Sequence, residues 1–156
     1  MKTTLVKLTS EEQLSLVQAI NRASFAPLLE KYQDHESNPA NETLEALCEK
    51  YRRPNTTFFF IWRNDQAVGS ARVLIEGHLG RIAPIALAPE VQGQGVGVEA
   101  MGLIERIYPD VTTWSLDTIK QEEGLVRFYE KLGYQKTGHE ETINERMSII
   151  YMEKHL

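Results

Sequence analysis

From Ile82 to Gly97 the chain reads Ile-Ala-Pro-Ile-Ala-Leu-Ala-Pro-Glu-Val-Gln-Gly-Gln-Gly-Val-Gly, an apolar strand that bends through glycines into a helix. Glycine at Gly93, Gly95 and Gly97 leaves backbone N–H groups bare enough for a ligand to approach closely. The helix that follows, read as Val98 to Ile107, adds unsatisfied N–H donors and the positive end of its dipole. Together they suit an anion, phosphate or pyrophosphate in particular. Proton-transfer chemistry has three candidates at predicted strand ends, Glu76, His78 and Asp117. Histidine is the side-chain type suited to proton transfer near neutral pH, but the Gly77-His-Leu-Gly80 setting of His78 reads as an exposed turn. The lone cysteine, Cys48, shares a helical stripe with Leu44, Leu47 and Tyr51 and has no His or Asp placed to activate it, so it reads as core.

Positioning these groups requires a folded domain, and the composition supplies one. A chain of 156 residues with 42% hydrophobic and 25% charged residues is long enough to bury a core as one domain, 1–156. A formal charge of −5, with Arg52-Arg53 the only adjacent arginines, argues against nucleic acid as a partner. Phosphate would therefore be held by backbone dipoles rather than by a broad positive field. One cysteine excludes an internal disulfide and fits a reducing compartment. The opening Met-Lys-Thr-Thr-Leu-Val-Lys has no apolar leader, and no run approaches the ~20 apolar residues of a membrane helix. The expectation is a cytoplasmic protein with no membrane partner.

Thr4 to Leu8 reads as a strand, and Ser10-Glu-Glu-Gln13 as a capping box that opens a helix with Leu16, Val17, Ile20 and Ala23 inward. Residues 25–38 show no sustained period and read as a structured connection. Asn38-Pro39 then caps a second helix reaching Arg52. Phe58-Phe-Phe-Ile-Trp62 is apolar on both faces, hence an interior strand. Ala67–Glu76 and Arg81–Leu87 follow as strands, then the glycine bend and its helix, then a strand over Thr112–Asp117. A helix over Gly124–Leu132 carries Leu125, Phe128, Tyr129 and Leu132 on one face, and strands near 134–141 and 146–154 close the chain. Trp62 and Trp114 fall within strand patterns and read as core. The order is β-α-α-β-β-β-α-β-α-β-β, an α/β (α+β) domain with a mixed sheet: antiparallel through its middle and parallel around the helix at 98–107.

The glycine bend admits two ligands. Gly95-Val-Gly97-Val-Glu-Ala100 fits a dinucleotide fingerprint, with Asp117 about 20 residues on where an acid would hold an NAD ribose. That oxidoreductase reading requires the fingerprint to follow its strand directly and to open the fold. Here Ala88 to Gln92 intervene, two helices and several strands come first, and too little chain follows to complete a parallel sheet. The fuller motif resembles something more specific. Gln92-Gly93-Gln94-Gly95-Val96-Gly97 is similar to the Arg/Gln-x-x-Gly-x-Gly/Ala signature of the GNAT N-acetyltransferase family, and Phe128-Tyr-Glu-Lys-Leu-Gly-Tyr134 resembles that family's late segment. Both motifs stand in the family's element order, so the resemblance spans nearly the whole chain.

The resemblance implies acetyl-CoA as co-substrate, no metal, and a primary amine of a small molecule, or of a peptide, as acceptor. The backbone of Ile85, Ala86 and Leu87 would pair with the pantetheine arm as an added strand. Pro84 would break the strand locally and let the central pair splay to make room. The amides of Gln92, Gly93, Gln94, Gly95, Val96 and Gly97 would hold the pyrophosphate, and Phe128 is carried over as a cofactor contact. Gln92 keeps a donor where many relatives have an arginine, at the loss of a charge. Tyr129 matches the family's general acid, which periodicity alone would assign to the core. Glu122 stands where many relatives place an asparagine near the cofactor. The base is Glu76, His78, Asp117 or ordered water, with water as the default, and Tyr32, Asp34, His35 and Glu36 fall in the region that would meet the acceptor. Relatives often form homodimers. A non-catalytic CoA-binding module of the same fold is the competing reading.

Overall fold

A computed structural model describes residues 2–156 as a seven-stranded sheet in the order β1-β2-β3-β4-β5-β7-β6. The strands are β1 (Thr3–Lys7), β2 (Thr56–Arg63), β3 (Gln66–Glu76), β4 (Leu79–Leu87), β5 (Thr113–Ile119), β6 (Gln135–Asn144) and β7 (Met147–His155). The helices are α1 (Leu14–Tyr32), α2 (Leu44–Tyr51), α3 (Val96–Ile107) and α4 (Glu123–Lys131), so the element order matches the sequence reading. None of them is long and apolar enough to cross a membrane. The apolar run on β2 is buried on both faces, as its lack of alternation predicts. Phe58 and Phe60 pack with Leu14, Val17 and Leu47 under α1 and α2, while Phe59 and Ile61 meet α3 residues on the other face. Trp114 is fully buried, whereas Trp62 is half-buried.

Two helix boundaries differ from the sequence reading. The capping box forms, with Gln13 Oε1 accepting from the Ser10 amide at 3.3 Å, but α1 then continues through the stretch read as a connection and carries Pro27 inside it. Tertiary burial overrides the proline: Phe25, Leu28 and Tyr32 face inward at helical spacing, and Tyr32 packs with Ile119 and Met147. The second helix is shorter than expected. Asn38 Oδ1 accepts from the Ala40 amide at 2.8 Å, yet this starts only a 3-10 turn over Pro39–Asn41. Thr43 is the true cap of α2, its Oγ1 accepting from the Ala46 amide at 3.1 Å. Cys48 is half-buried against the Leu14–Leu47 cluster.

The one parallel pair among the described residues, β4 with β5, positions the site. Its ladder spans three pairs, Leu79 with Thr113, Gly80 with Trp114 and Arg81 with Ser115. Beyond Arg81, β4 stays on β3 as far as Leu87 against Gly69, and β5 stays on β7 as far as Ile119 against Ile149. The two strands therefore part. Over residues 82–87 β4 has no strand on its β5 side among the described residues. The break coincides with a register shift between Ala71 and Val73 and with a cis Ala83–Pro84 bond. The expected splay is what the sheet shows: the ladder to β5 ends at Arg81, and the irregularity on the β3 side falls at Ala83–Pro84.

Candidate active site

At the wide end of the gap, β4 passes through a 3-10 turn (Pro89–Val91) into the glycine bend and α3. Gly93 and Gly95 hold φ of 80° and 81°, and nothing lies within 4 Å of where a side chain would project from either. Both positions thus need glycine for their backbone angle, and the bend is bare on the outside. The amides of Gly93, Gln94 and Gly95 donate to no backbone acceptor among the described residues. The first turn of α3 adds its own unpaired N–H groups. Gly97 answers a different demand: a Cβ there would lie 3.1 Å from Phe128 Cζ and 3.5 Å from Leu87 Cδ1, so its absence lets α3 sit against both. The two glutamine side chains brace the bend from within. Gln92 Nε2 donates to the Leu87 carbonyl at 3.0 Å, and Gln94 Nε2 to the Glu90 carbonyl at 2.9 Å. Val96 buries its side chain, leaving only its backbone for a ligand.

Along the gap, Ile85 and Leu87 turn toward the α3 side, while Ala86 is buried on the α1 side. The Leu87 amide donates to Ser24 Oγ of α1 at 3.3 Å. Tyr129 of α4 lies in one core cluster with Ile82 of β4 and Leu116 of β5, with Ile85 and Phe128 packed on that cluster. Its ring stands edge-on to Phe128 at 5.1 Å and to Tyr134 at 6.0 Å. Burial first, and then the Asp117 charge, push its pKa up to about 12. No hydrogen bond occupies the Tyr129 hydroxyl among the described residues. It is a protonated donor with its valence free. On α4, Val126 rather than Leu125 is the buried member of the stripe.

The candidate bases are placed less favourably. Glu76 accepts from Asn55 Nδ2 at 3.3 Å, and His78 Nδ1 lies 2.8 Å from the Asp110 carbonyl oxygen. Both sit at the β3–β4 hairpin, the end of β4 away from the glycine bend. Asp117 does face the hinge of the gap, but its carboxylate accepts from Arg81 Nη2 at 2.5 Å. Asp34 is buried and accepts from Asn38 Nδ2 at 3.2 Å, which makes it part of its own turn.

Glu122 is engaged by α1. Its carboxylate accepts from Lys31 Nζ at 2.6 Å and from the Tyr32 hydroxyl, two bonds that hold its pKa below the ordinary carboxylate value. Sequence reasoning missed this link because its partners lie about ninety residues apart and no local pattern joins them. A depressed carboxylate contributes stability above its unfolded pKa, and that contribution is lost as pH falls through the folded value. Glu122→Gln is accordingly expected to cost about 1–2 kcal/mol at pH 7, mostly from the Tyr32 bond. The gap from wild type should close as pH falls through the lowered folded value of Glu122, since only the wild type carries the carboxylate, read as urea midpoints across the acid range.

Residues 18–134 match the sequence profile of the Acetyltransferase (GNAT) family. A Bacillus subtilis (strain 168) protein provisionally named an acetyltransferase is 27% identical over 155 residues, covering 95% of this chain and 93% of its own length. Among solved structures, the PaiA N-acetyltransferase of Thermoplasma acidophilum in complex with coenzyme A superposes with a TM-score of 0.80 over 100% of both chains at 19% identity. The spermidine N-acetyltransferase of Vibrio cholerae, in complex with CoA and spermine, gives 0.72 over 98% of this chain and 95% of its own at 21% identity.

Proposed function

The chain belongs to the GNAT family of acetyltransferases, and from that premise we propose that it transfers the acetyl group of acetyl-CoA to the primary amine of a small acceptor by direct attack. The observation that carries this reading is the coincidence of three features on one opening. A bare glycine bend stands at its mouth, a strand without a partner forms one wall, and an unoccupied phenol of α4 lies in one core cluster with residues of β4 and β5. The amides from Gln92 to Gly97 suit the diphosphate of CoA. The free side of β4 over Ile85, Ala86 and Leu87 suits the amide-bearing pantetheine arm, which adds as a strand would. Phe128, against Gly97, closes the floor beneath that arm.

The chemistry then follows from that phenol. The neutral amine attacks the thioester carbonyl carbon, a C–N bond forms, and collapse of the tetrahedral adduct breaks the C–S bond. Negative charge develops on sulfur, and Tyr129 donates to it. The ammonium proton leaves through ordered water, since Asp117 is held by Arg81 while Glu76 and His78 stand at the far end of β4. Release of free CoA thiol in the presence of acetyl-CoA and an amine panel tests the reading. A CoA-binding module without catalysis would gain heat resistance from CoA yet release no thiol above background.

The bend can be tested separately. A valine at Gly95 cannot hold φ of 81° without strain of about 1–3 kcal/mol, which the loop escapes by changing shape when empty. Gly95→Val is therefore expected to weaken CoA binding on the order of tenfold or more by calorimetry, with little effect on the melting temperature of the unliganded protein. Undiminished affinity would remove the bend from the site.

A further inference from the structure

An acceptor reaching the gap from the side opposite α3 and α4 would lie on the sheet face under α1 and α2, and that face carries an arginine without a partner. Arg72 pairs across β2–β3 with Phe58, whose ring lies under α1 and α2, so it projects to the same face. It also stands at the break in the sheet. The β3–β4 register passes from Ala71 with Ile85 to Val73 with Ile82, which sets Arg72 beside Ala83–Pro84, just past where β4 leaves β5. Arg72 is half-buried, its Nε is sealed from solvent without an acceptor, and its guanidinium makes no hydrogen bond or ion pair among the described residues. Its acidic neighbour Glu42 is taken by Lys50. The neighbouring arginines are occupied as well, Arg53 by Glu49 and Arg81 by Asp117. Arg63, which also has buried unpartnered nitrogens, lies on β2, two strands from the gap.

A guanidinium half out of water with an empty fork is costly unless an anion completes it, and its planar donors match a carboxylate in particular. The opposite side of the same floor carries two carboxylates, Asp117, which is paired with Arg81, and Glu141. Asp117 on β5 faces Tyr151 on β7, whose hydroxyl donates to Glu141 Oε2 of β6 at 3.0 Å. The reacting amine must sit between these two sides, over the gap. We propose that the acceptor is an amine bearing a carboxylate, as in an amino acid, and that Arg72 binds the carboxylate while the amine faces the β5 side. This rests on the acetyltransferase reading above and narrows it to a substrate class. Burial, the largest influence, lowers the Arg72 pKa; the charge of Glu42 opposes this, and the charges of Arg53 and Arg81 add to it.

The test compares amino acids with their decarboxylated amines and with polyamines, by thiol release and by initial rates. Amino acids are expected to exceed the matched amines in kcat/KM by roughly 10- to 100-fold, the range of a charge-assisted pair. Arg72→Gln should collapse that ratio toward one through acceptor KM, leave the KM for acetyl-CoA in place, and be rescued in part by Arg72→Lys. Thermal melts of both variants with CoA show whether the fold and the CoA site survive. Decarboxylated amines or polyamines turned over as well as amino acids, or a loss equal for all acceptors in Arg72→Gln, would overturn the proposal while leaving the acetyltransferase intact. Absence of CoA binding and of thiol release with every acceptor would remove the parent reading, and this one with it.

Discussion

Tyr129→Phe is expected to lower turnover by roughly 10²-fold or more while CoA binds as tightly as before. The substitution removes a single oxygen. The ring contacts to Phe128 and Tyr134 are unaffected, and no hydrogen bond is broken, because the Tyr129 hydroxyl makes none among the described residues. A structural role for the tyrosine would leave turnover unchanged, so the measurement separates the two accounts without a change in fold. The raised pKa shapes the rest of the expectation. At about 12 the phenol stays protonated throughout the working range, so it donates at every pH used in an assay. A phenol that weak does not hand its proton to a free thiolate, whose conjugate acid lies near 8.5 in water. It hydrogen-bonds to sulfur as charge builds there, and the proton crosses as the C–S bond lengthens in a site where the thiolate too is poorly solvated. The wild-type pH–rate profile should therefore rise with deprotonation of the acceptor amine and show no alkaline fall assignable to Tyr129 below about pH 11. A full rate in the phenylalanine variant, with acetyl-CoA saturating, would take the acid role away.

What the sequence made legible was local. The β2 run announces burial on both faces because five consecutive large apolar residues leave no solvent side, and Phe58 to Ile61 behave accordingly, while Trp62 is half-buried. Gly93 and Gly95 announce a bend that only glycine can make, and both hold positive φ. Pro84 marks the break in β4, since proline withdraws one ladder N–H where the strand must diverge. Long-range matters stayed hidden. Pro27 reads as a stop, and only the burial of Leu28 and Tyr32 against strands more than eighty residues away carries α1 through it. Asp117 and Glu122 read as free acids until the fold brings Arg81, Lys31 and Tyr32 to them. Arg72 gave no signal at all. In sequence it is a polar residue on a half-apolar strand, and its meaning comes from the register that sets it beside the break.

The β4–β5 junction is the narrowest support in the fold, and Trp114→Ala should be the costliest substitution there, at about 3–5 kcal/mol. Trp114 is fully buried, and its ring fills the space that a Cβ at Gly80 would need, with Cζ3 only 2.5 Å from that point. Gly80 and Trp114 are also the middle pair of the three that join the two halves of the sheet. The indole thus packs directly under the hinge, edge-on to Tyr108 at 6.1 Å. Its Nε1 has no acceptor, so truncation costs packing and cavity rather than a hydrogen bond. Trp114→Phe should accordingly lose far less, because it keeps an aromatic ring under Gly80 and removes an unsatisfied N–H. At about 2–4 °C per kcal/mol for a chain of this size, the alanine variant should melt roughly 6–20 °C lower. Below its transition it should also show a raised KM for acetyl-CoA, because the angle at which β4 leaves β5 is set by what the hinge rests on. Equal urea midpoints for the alanine and phenylalanine variants would mean that the ring does not hold the junction, and that the splay is fixed by the β3–β4 register shift alone.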